Sequence, residues 1–197
     1  MPNNPKDMFD HLLRVTQHER FLSKRGLGNE IPYFICPYAP SLEREMARNR
    51  ISLIARLQDA GVHVVDLNLF DVALDLLTER GILEQVIETE REHEKSELRE
   101  LLQSVLDAEC HLVPAVLSRL TDGPDLLILS GVGEVFPFVR AHAVLNNLQS
   151  QAGDQLTLMF FPGTYTHAQE SGATLDVLGL RQDDRYYRAF NILEYEV

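Results

Sequence analysis

Two short apolar runs, residues 126–129 (Leu-Leu-Ile-Leu) and 156–161 (Leu-Thr-Leu-Met-Phe-Phe), flank one segment with helical spacing over about 138–149. A run that is apolar on both faces can turn neither face to water, so each reads as a central strand of a covered sheet. Strand, turn, helix and strand make a βαβ unit with its two strands parallel. In such sheets ligands and partners meet the loops at the carboxyl ends of the strands. Here those loops are residues 130–137 and 162–167.

The rest of the chain extends this pattern. Met8, Leu12, Leu13 and Val15 predict an amphipathic helix over 6–21, followed by a basic, Gly-containing linker at 23–29. The helix is expected to dock on the sheet; the alternative is an arm that folds on a partner. Residues 31–38 predict a first strand, ending in a turn at 37–40, with Ser41 capping the next helix and Glu43 and Glu45 at its positive end. Leu42, Met46, Leu53, Ile54 and Leu57 form that helix's apolar stripe, and Gly61 ends it. Residues 62–69 read as a second strand, with Asp66 and Asn68 near its carboxyl end. Asp71 and a helix carrying Phe70, Ala73, Leu74 and Leu77 follow, as far as Gly81. One long helix is expected over 82–106. Its charged middle, 88–97, reads as a solvated face or, more sharply, as a projecting acidic partner site. Residues 110–120 fit either a strand start at His111, Val113 and Pro114 or a helix with Pro114 in its first turn. Thr121-Asp-Gly-Pro is a turn. Beyond Tyr165, strands at 174–180 and 187–193 are expected to pair around a turn at 182–185. The whole reads as one three-layer α/β domain over 1–197 with a mostly parallel sheet: an N-terminal helix and linker in 1–30 and a C-terminal β pair in 166–197.

Composition narrows the function classes. Hydrophobic residues at 45% and charged residues at 24% suit a soluble globular chain. Eighteen basic against thirty acidic residues give −12, a field that repels phosphate backbones and makes nucleic-acid binding an unfavourable reading. Arg44, Arg48, Arg50 and Arg56 on one helix are the single counter-indication. The lysines are Lys6, Lys24 and Lys95 alone, so the basic residues are nearly all Arg, the better interface cation. Cys36 and Cys110 make neither a disulfide framework nor a metal site. No apolar run approaches the roughly 20 residues that span a bilayer, and the N-terminus has no apolar signal core. The expectation is a cytoplasmic protein.

Candidate chemistry is sparse. The first strand, turn and helix stand where a nucleotide-binding protein places its phosphate loop, but residues 36–43 read Cys-Pro-Tyr-Ala-Pro-Ser-Leu-Glu. There is no Gly and no Lys, prolines remove amide donors, and glutamate occupies the positive helix end. Gly131-Val-Gly133 resembles the start of a dinucleotide fingerprint. The third glycine position is Phe136, then Pro137, and no acidic residue ends the next strand to hold a ribose. The rival to a tight structural turn is an atypical nucleotide-binding protein or enzyme using Gly131 to Glu134. Glu134, Asp66, Asp71 and the Ser130 hydroxyl are candidates to converge at the sheet's carboxyl edge, where paired carboxylates hold a metal or act as acid and base. Capping and solvation explain the same residues. Tyr165 and the run 183–190 (Asp-Asp-Arg-Tyr-Tyr-Arg-Ala-Phe) carry interface residue types, against a reading of Tyr187 and Phe190 as strand core. The contact candidates are Tyr38, Glu134, Phe136, Arg140, Tyr165, Arg185, Tyr186 and Arg188. No catalytic residue, cofactor or metal is expected.

Several strings carry a resemblance to one family: 70–81 (Phe-Asp-Val-Ala-Leu-Asp-Leu-Leu-Thr-Glu-Arg-Gly), 130–137 with Arg140, Phe160-Phe-Pro-Gly-Thr-Tyr165, and Leu178-Gly-Leu followed by 184–190. On these the chain resembles the small B component, BrxB, of the BREX bacteriophage-exclusion systems. The resemblance covers nearly the whole chain. It implies a bacterial anti-phage assembly whose members include a methyltransferase, a large ATPase and an alkaline-phosphatase-like protein. It implies a scaffold or regulator bound to the phosphatase-like subunit, and it supplies no catalytic residues; self-association is a separate expectation for the chain. The fold expected with it is a nucleoside-triphosphatase-like (P-loop NTPase-like) core without the phosphate loop.

Overall fold

The computed structural model describes residues 4–24, 32–92, 94–168, 172–177, 180–181 and 189–197. Its strands are β1 (Tyr33–Tyr38), β2 (Val64–Asn68), β3 (Leu126–Ser130), β4 (Thr157–Ala168), β5 (Gly172–Val177), β6 (Leu180–Arg181) and β7 (Phe190–Asn191). The helices are α1 (Pro5–Thr16), α2 (Glu19–Leu22), α3 (Glu43–Asp59), α4 (Leu69–Glu79), α5 (Leu83–Glu92), α6 (Lys95–Val105), α7 (Val113–Leu117), α8 (Val132–Val135) and α9 (Ala141–Gln151). Five strands run parallel in the order β2-β3-β4-β1-β7. The βαβ unit read from the two apolar runs is there, with β3 and β4 adjacent.

Strand pleating sorts the apolar residues into two cores. Phe34, Cys36, Leu126, Ile128, Leu158 and Phe160 face one way and bury α1, α2 and α3 through Leu12, Val15, Phe21, Met46, Leu53 and Leu57. Tyr33, Ile35, Leu127, Leu129, Met159 and Phe161 face the other way and bury α4, α7 and α9 through Val72, Leu77, Val113, Val116, Val144 and Leu148. A sheet covered on both faces explains why the central runs do not alternate with polar residues. The N-terminal helix takes the docked option: Met8, Leu12 and Val15 are buried, and His11 Nε2 lies 2.9 Å from the Ile192 carbonyl oxygen.

Three expectations need correction, and one open alternative is decided. Ser41 does not cap α3. A 3₁₀ turn over Pro40–Leu42 leads in, Leu42 holds the cap position without a side-chain bond, and Glu43 and Glu45 fill the first turn as expected. The long helix over 82–106 is two helices, α5 and α6, with Glu94 extended between them at φ −69° and ψ 146°. Nothing apolar in the charged middle binds a continuous axis to the core. Of the two readings of 110–120, the helical one holds: a π-helical turn at Ala108–Leu112 runs into α7, with Pro114 in its first turn.

The C-terminal pair is the third correction. β4 runs on past the sheet, and its outer half pairs antiparallel with β5, from Gly163 opposite Val177 to Ala168 opposite Gly172. β5 pairs with β6, while β7 joins β1 in parallel, with the Phe190 and Phe34 rings 5.8 Å apart. The overhang of β4 and the open edge of β1 each take a strand that sequence pairs with the other. The expected turn at 182–185 lies outside the described residues.

Candidate functional site

The carboxyl ends of the parallel strands form one rim. Asn68 ends β2 directly opposite Ser130, which ends β3; Tyr38 ends β1 opposite Pro162 of β4. Asn68 works in two directions. Its Oδ1 accepts from the Phe70 amide at 2.7 Å, capping α4, and its Nδ2 donates to Glu134 Oε2 at 3.1 Å. Gly131 turns the chain at φ +75°, and a Cβ there would stand 2.0 Å from Asn68 Oδ1. The glycine is therefore required by the left-handed turn and by Asn68, with no phosphate invoked. Across the rim, Tyr38 donates to Glu43 Oε2 at 2.8 Å. Burial, then the bond to Glu43, pushes the Tyr38 hydroxyl well above the usual phenol range.

These groups line two adjoining crevices of about 150 and 90 Å³. Tyr38, Glu43, Gly131 and Glu134 border both, and Arg50, Asn68 and Ser130 border the smaller. Ser130 shares its pleat side with Leu126 and Ile128, so its side chain lies on the α3 side of the sheet, as Tyr38 does. Ser130 is 7% exposed, and its Oγ has no hydrogen-bond partner among the described residues. Arg50 is ion-paired with Asp66, whose carboxyl is pushed up by burial against the opposing pull of that guanidinium. Pockets for small molecules run to roughly 300–1,000 Å³, so this crevice is sized for a head group rather than a nucleotide.

The sequence-derived candidates divide accordingly. Glu134 and Ser130 meet at the crevice, Asp66 is drawn to Arg50, and Asp71 lies exposed in the first turn of α4. Tyr38 borders the crevice although it is buried. Phe136 is half-buried against the α4–α9 core, and Arg140 is exposed at the N-cap of α9, in the connection that leaves the carboxyl end of β3. Tyr165 is not a surface residue: it is 8% exposed and donates to the Ala189 carbonyl at 2.5 Å. Its ring is held inside because β4 keeps pleating past the sheet. Arg185, Tyr186 and Arg188 lie outside the described residues. Of the four arginines considered for DNA, Arg50 is engaged by Asp66 and Arg56 sits 5.6 Å over the Phe9 ring.

Sequence reasoning missed two features. Phe70, assigned to the apolar face of α4, is 40% exposed at the rim. Asn68 was noted only for its position, although an Asn directly before a helix is a capping signal that would have fixed its role. A larger open groove of about 530 Å³ lies between α4 and α7, lined by Cys110, His111 and Arg119 among others. It stands away from the strand ends, and Arg119 there is bonded to Asp75 and to the Ala115 carbonyl. Neither thiol is activated: burial pushes Cys36 up, and the Asp107 carboxylate pushes Cys110 up. Among the described residues no group of three or more His, Cys, Asp or Glu is placed to hold a metal ion, and no helix is long and apolar enough to cross a membrane.

Fold and rim thus define an α/β protein with a five-stranded parallel sheet and a small acidic crevice at its carboxyl edge. Comparison with known proteins gives the family. A family model described as BREX protein BrxB matches residues 65–192. A BREX protein BrxB of Bacillus cereus (strain H3081.97) is 31% identical over 191 residues, covering 95% of this chain and 97% of that protein. One of Escherichia coli O9:H4 (strain HS) is 32% identical over 177 residues, covering 89% and 84%. The chain belongs to the BrxB family, and its role is in the BREX phage-defence system. No solved structure matches the chain, so the expected likeness to a nucleoside-triphosphatase core gains no support.

Proposed function

We propose that the chain works by contact, as a non-enzymatic interaction subunit of a BREX assembly that docks on the alkaline-phosphatase-like component. The surface assigned to that contact is the carboxyl rim of the sheet. The observation that carries this reading is Phe70, a large apolar side chain 40% exposed in the first turn of α4, just past the carboxyl end of β2. An exposed aromatic on a rim that also carries carboxylates has the composition of a protein interface, in which the ring supplies area and the charged groups supply orientation. The chemistry beside it supports the same reading. The rim carboxylates are tied into hydrogen bonds with Tyr38 and Asn68, and the nearest cation is neutralised by Asp66. A phosphate group in the crevice meets two glutamates, and the arginine that lines it, Arg50, is already paired with Asp66.

Co-purification with the phosphatase-like subunit tests the proposal. The wild-type chain should be retained, and Phe70→Ala with Arg140→Glu should reduce retention at least tenfold while the fold is kept. A well-folded wild-type chain that is not retained overturns the reading. So does submillimolar binding of ATP, GTP or NAD by calorimetry that is lost in Glu134→Ala, which would reinstate the nucleotide-binding alternative.

A further inference from the structure

The crevice at the carboxyl rim has a chemistry of its own. It combines two carboxylates, from Glu43 and Glu134, with a buried serine oxygen that has no partner among the described residues. We propose that it captures one positively charged side chain, an arginine or lysine, presented by a partner protein, with Ser130 Oγ, Glu134 and Glu43 as the receiving oxygens. This rests on the reading that the chain docks through its carboxyl rim, and adds to it the charge of the residue that enters.

Three observations select the occupant. The first is charge. Arg50 is cancelled by Asp66, so Glu43 and Glu134 leave the crevice negative, and the positive end of α3 is already compensated by Glu43 and Glu45. An anion is therefore opposed and a cation favoured. The second is hydrogen-bonding capacity. A buried hydroxyl oxygen without a partner among the described residues is uncommon in a folded protein, and here it opens into the crevice with acceptor capacity to spare. Guanidinium and ammonium are pure donors, so either satisfies two carboxylates and a hydroxyl lone pair together without bringing in an acceptor that would repel them. The third is size. The adjoining volumes of about 150 and 90 Å³ fit the head of one side chain and not a nucleotide. A metal ion is less well served, because no third ionised ligand stands near among the described residues.

The site is also fixed in shape. Asn68 holds Glu134, Tyr38 holds Glu43, and the left-handed turn at Gly131 sets the distance between strand end and α8. A receptor for a planar fork needs its oxygens held in place before the ligand arrives.

The experiment is a titration of the isotopically labelled full chain, following the backbone amides of Ser130, Gly131 and Gly133 by nuclear magnetic resonance. Two probes are compared: Nα-acetyl-arginine amide and its uncharged isostere Nα-acetyl-citrulline amide. Saturable shifts confined to the rim with the first, and none with the second, are expected. Glu134→Gln and Glu43→Gln, both at exposed positions, should each weaken the arginine probe by about tenfold, the loss of one charge-assisted bond. Equal response to both probes, no response at the highest soluble concentration, or undiminished binding in both variants overturns the inference. The co-purification assay separates this from the docking reading. If the wild type and both variants are retained equally and no probe response appears, the crevice proposal fails and docking stands. If the wild type is not retained but the arginine probe binds as described, the named partner is wrong and the crevice remains a site for a basic side chain of another protein.

Discussion

Two acidic regions of this chain present the same carboxylates and differ in how the structure holds them. The first is the charged stretch of α5 and α6, where Glu88, Glu90, Glu92 and Glu94 are all exposed and α5 buries no residue. The second is the rim, where Glu43 and Glu134 are each bonded to a side chain that ends a strand, Tyr38 or Asn68. The first has more charge and the second has a fixed arrangement. A solvated carboxylate samples many rotamers and is screened by salt, so its contribution to recognition is small. A carboxylate held by a neighbouring donor keeps one geometry and presents it to whatever arrives. Charge density read along a chain therefore does not locate a site; the contacts that immobilise the charge do.

The sheet that holds the rim in place is the side of the comparison with the most to lose. Phe161 on β4 is fully buried in the core beneath α4 and α9. Phe161→Ala should cost about 3–5 kcal/mol, the usual penalty for deleting a buried ring, measured by urea unfolding. Next comes the turn that sets the crevice. Gly131→Ala places a side chain at φ +75° and drives it into Asn68, so the α4 cap is displaced with it. About 2–4 kcal/mol is expected from left-handed strain plus the lost cap. Loss of the Asn68–Glu134 bond should also release Glu134, and the amide of Gly133 should shift. A change under about 0.5 kcal/mol, the range of an ordinary surface substitution, would mean that the rim is not held by this turn.

A third contrast lies between buried and solvated titratable groups. Burial raises the hydroxyls of Tyr33 and Tyr165 to about 12, with Asp154 and Glu194 adding to the respective shifts. Their folded-state values stand above the unfolded value of 10.0, so the protonated form is the one that the fold favours. Their stabilising contribution is fully present below pH 10 and is lost as pH rises through about 12. Stability followed by denaturant unfolding between neutral and strongly alkaline pH should fall over that window. Tyr165→Phe, although it gives up the bond to Ala189, should fall less steeply. An unchanged slope would show that Tyr165 is not held in its buried position.

The parts of this molecule that sequence made legible are those where one period dominates. Runs such as 126–129 have no polar face, and only a covered strand can bury them, so β3, β4 and their parallel pairing follow directly. The α3 stripe and the Gly61 stop are equally local. What escaped was non-local. The partner of β5 depends on how far β4 overhangs the sheet, and the partner of β7 depends on an edge of β1 laid down more than 150 residues earlier in the chain. The break between α5 and α6 depends on the absence of anything to pack against. At the rim, Glu134 and Ser130 were recognisable as polar groups after a strand. Their companions Glu43, Arg50 and Asn68 come from other elements, and no spacing in the chain marks them as neighbours. Tyr165 was misplaced for the same reason: its acceptor is a carbonyl 24 positions away.

The smallest expected effect falls on the other acidic region, and it is the sharpest test of the contrast. Glu88→Gln, Glu90→Gln and Glu92→Gln remove three charges from the exposed run of α5. With no buried face and no cap among these positions, each substitution should alter stability by less than about 0.5 kcal/mol. Removing like charges spaced two and four apart should, if anything, stabilise α5 slightly. Retention by the phosphatase-like subunit should stay within twofold of the wild type, whereas a single Glu134→Gln at the rim should lower it about tenfold, the loss of one charge-assisted bond. If the triple variant loses retention and the rim variant keeps it, the acidic helix is the partner surface after all, and the held geometry of the crevice serves only the fold.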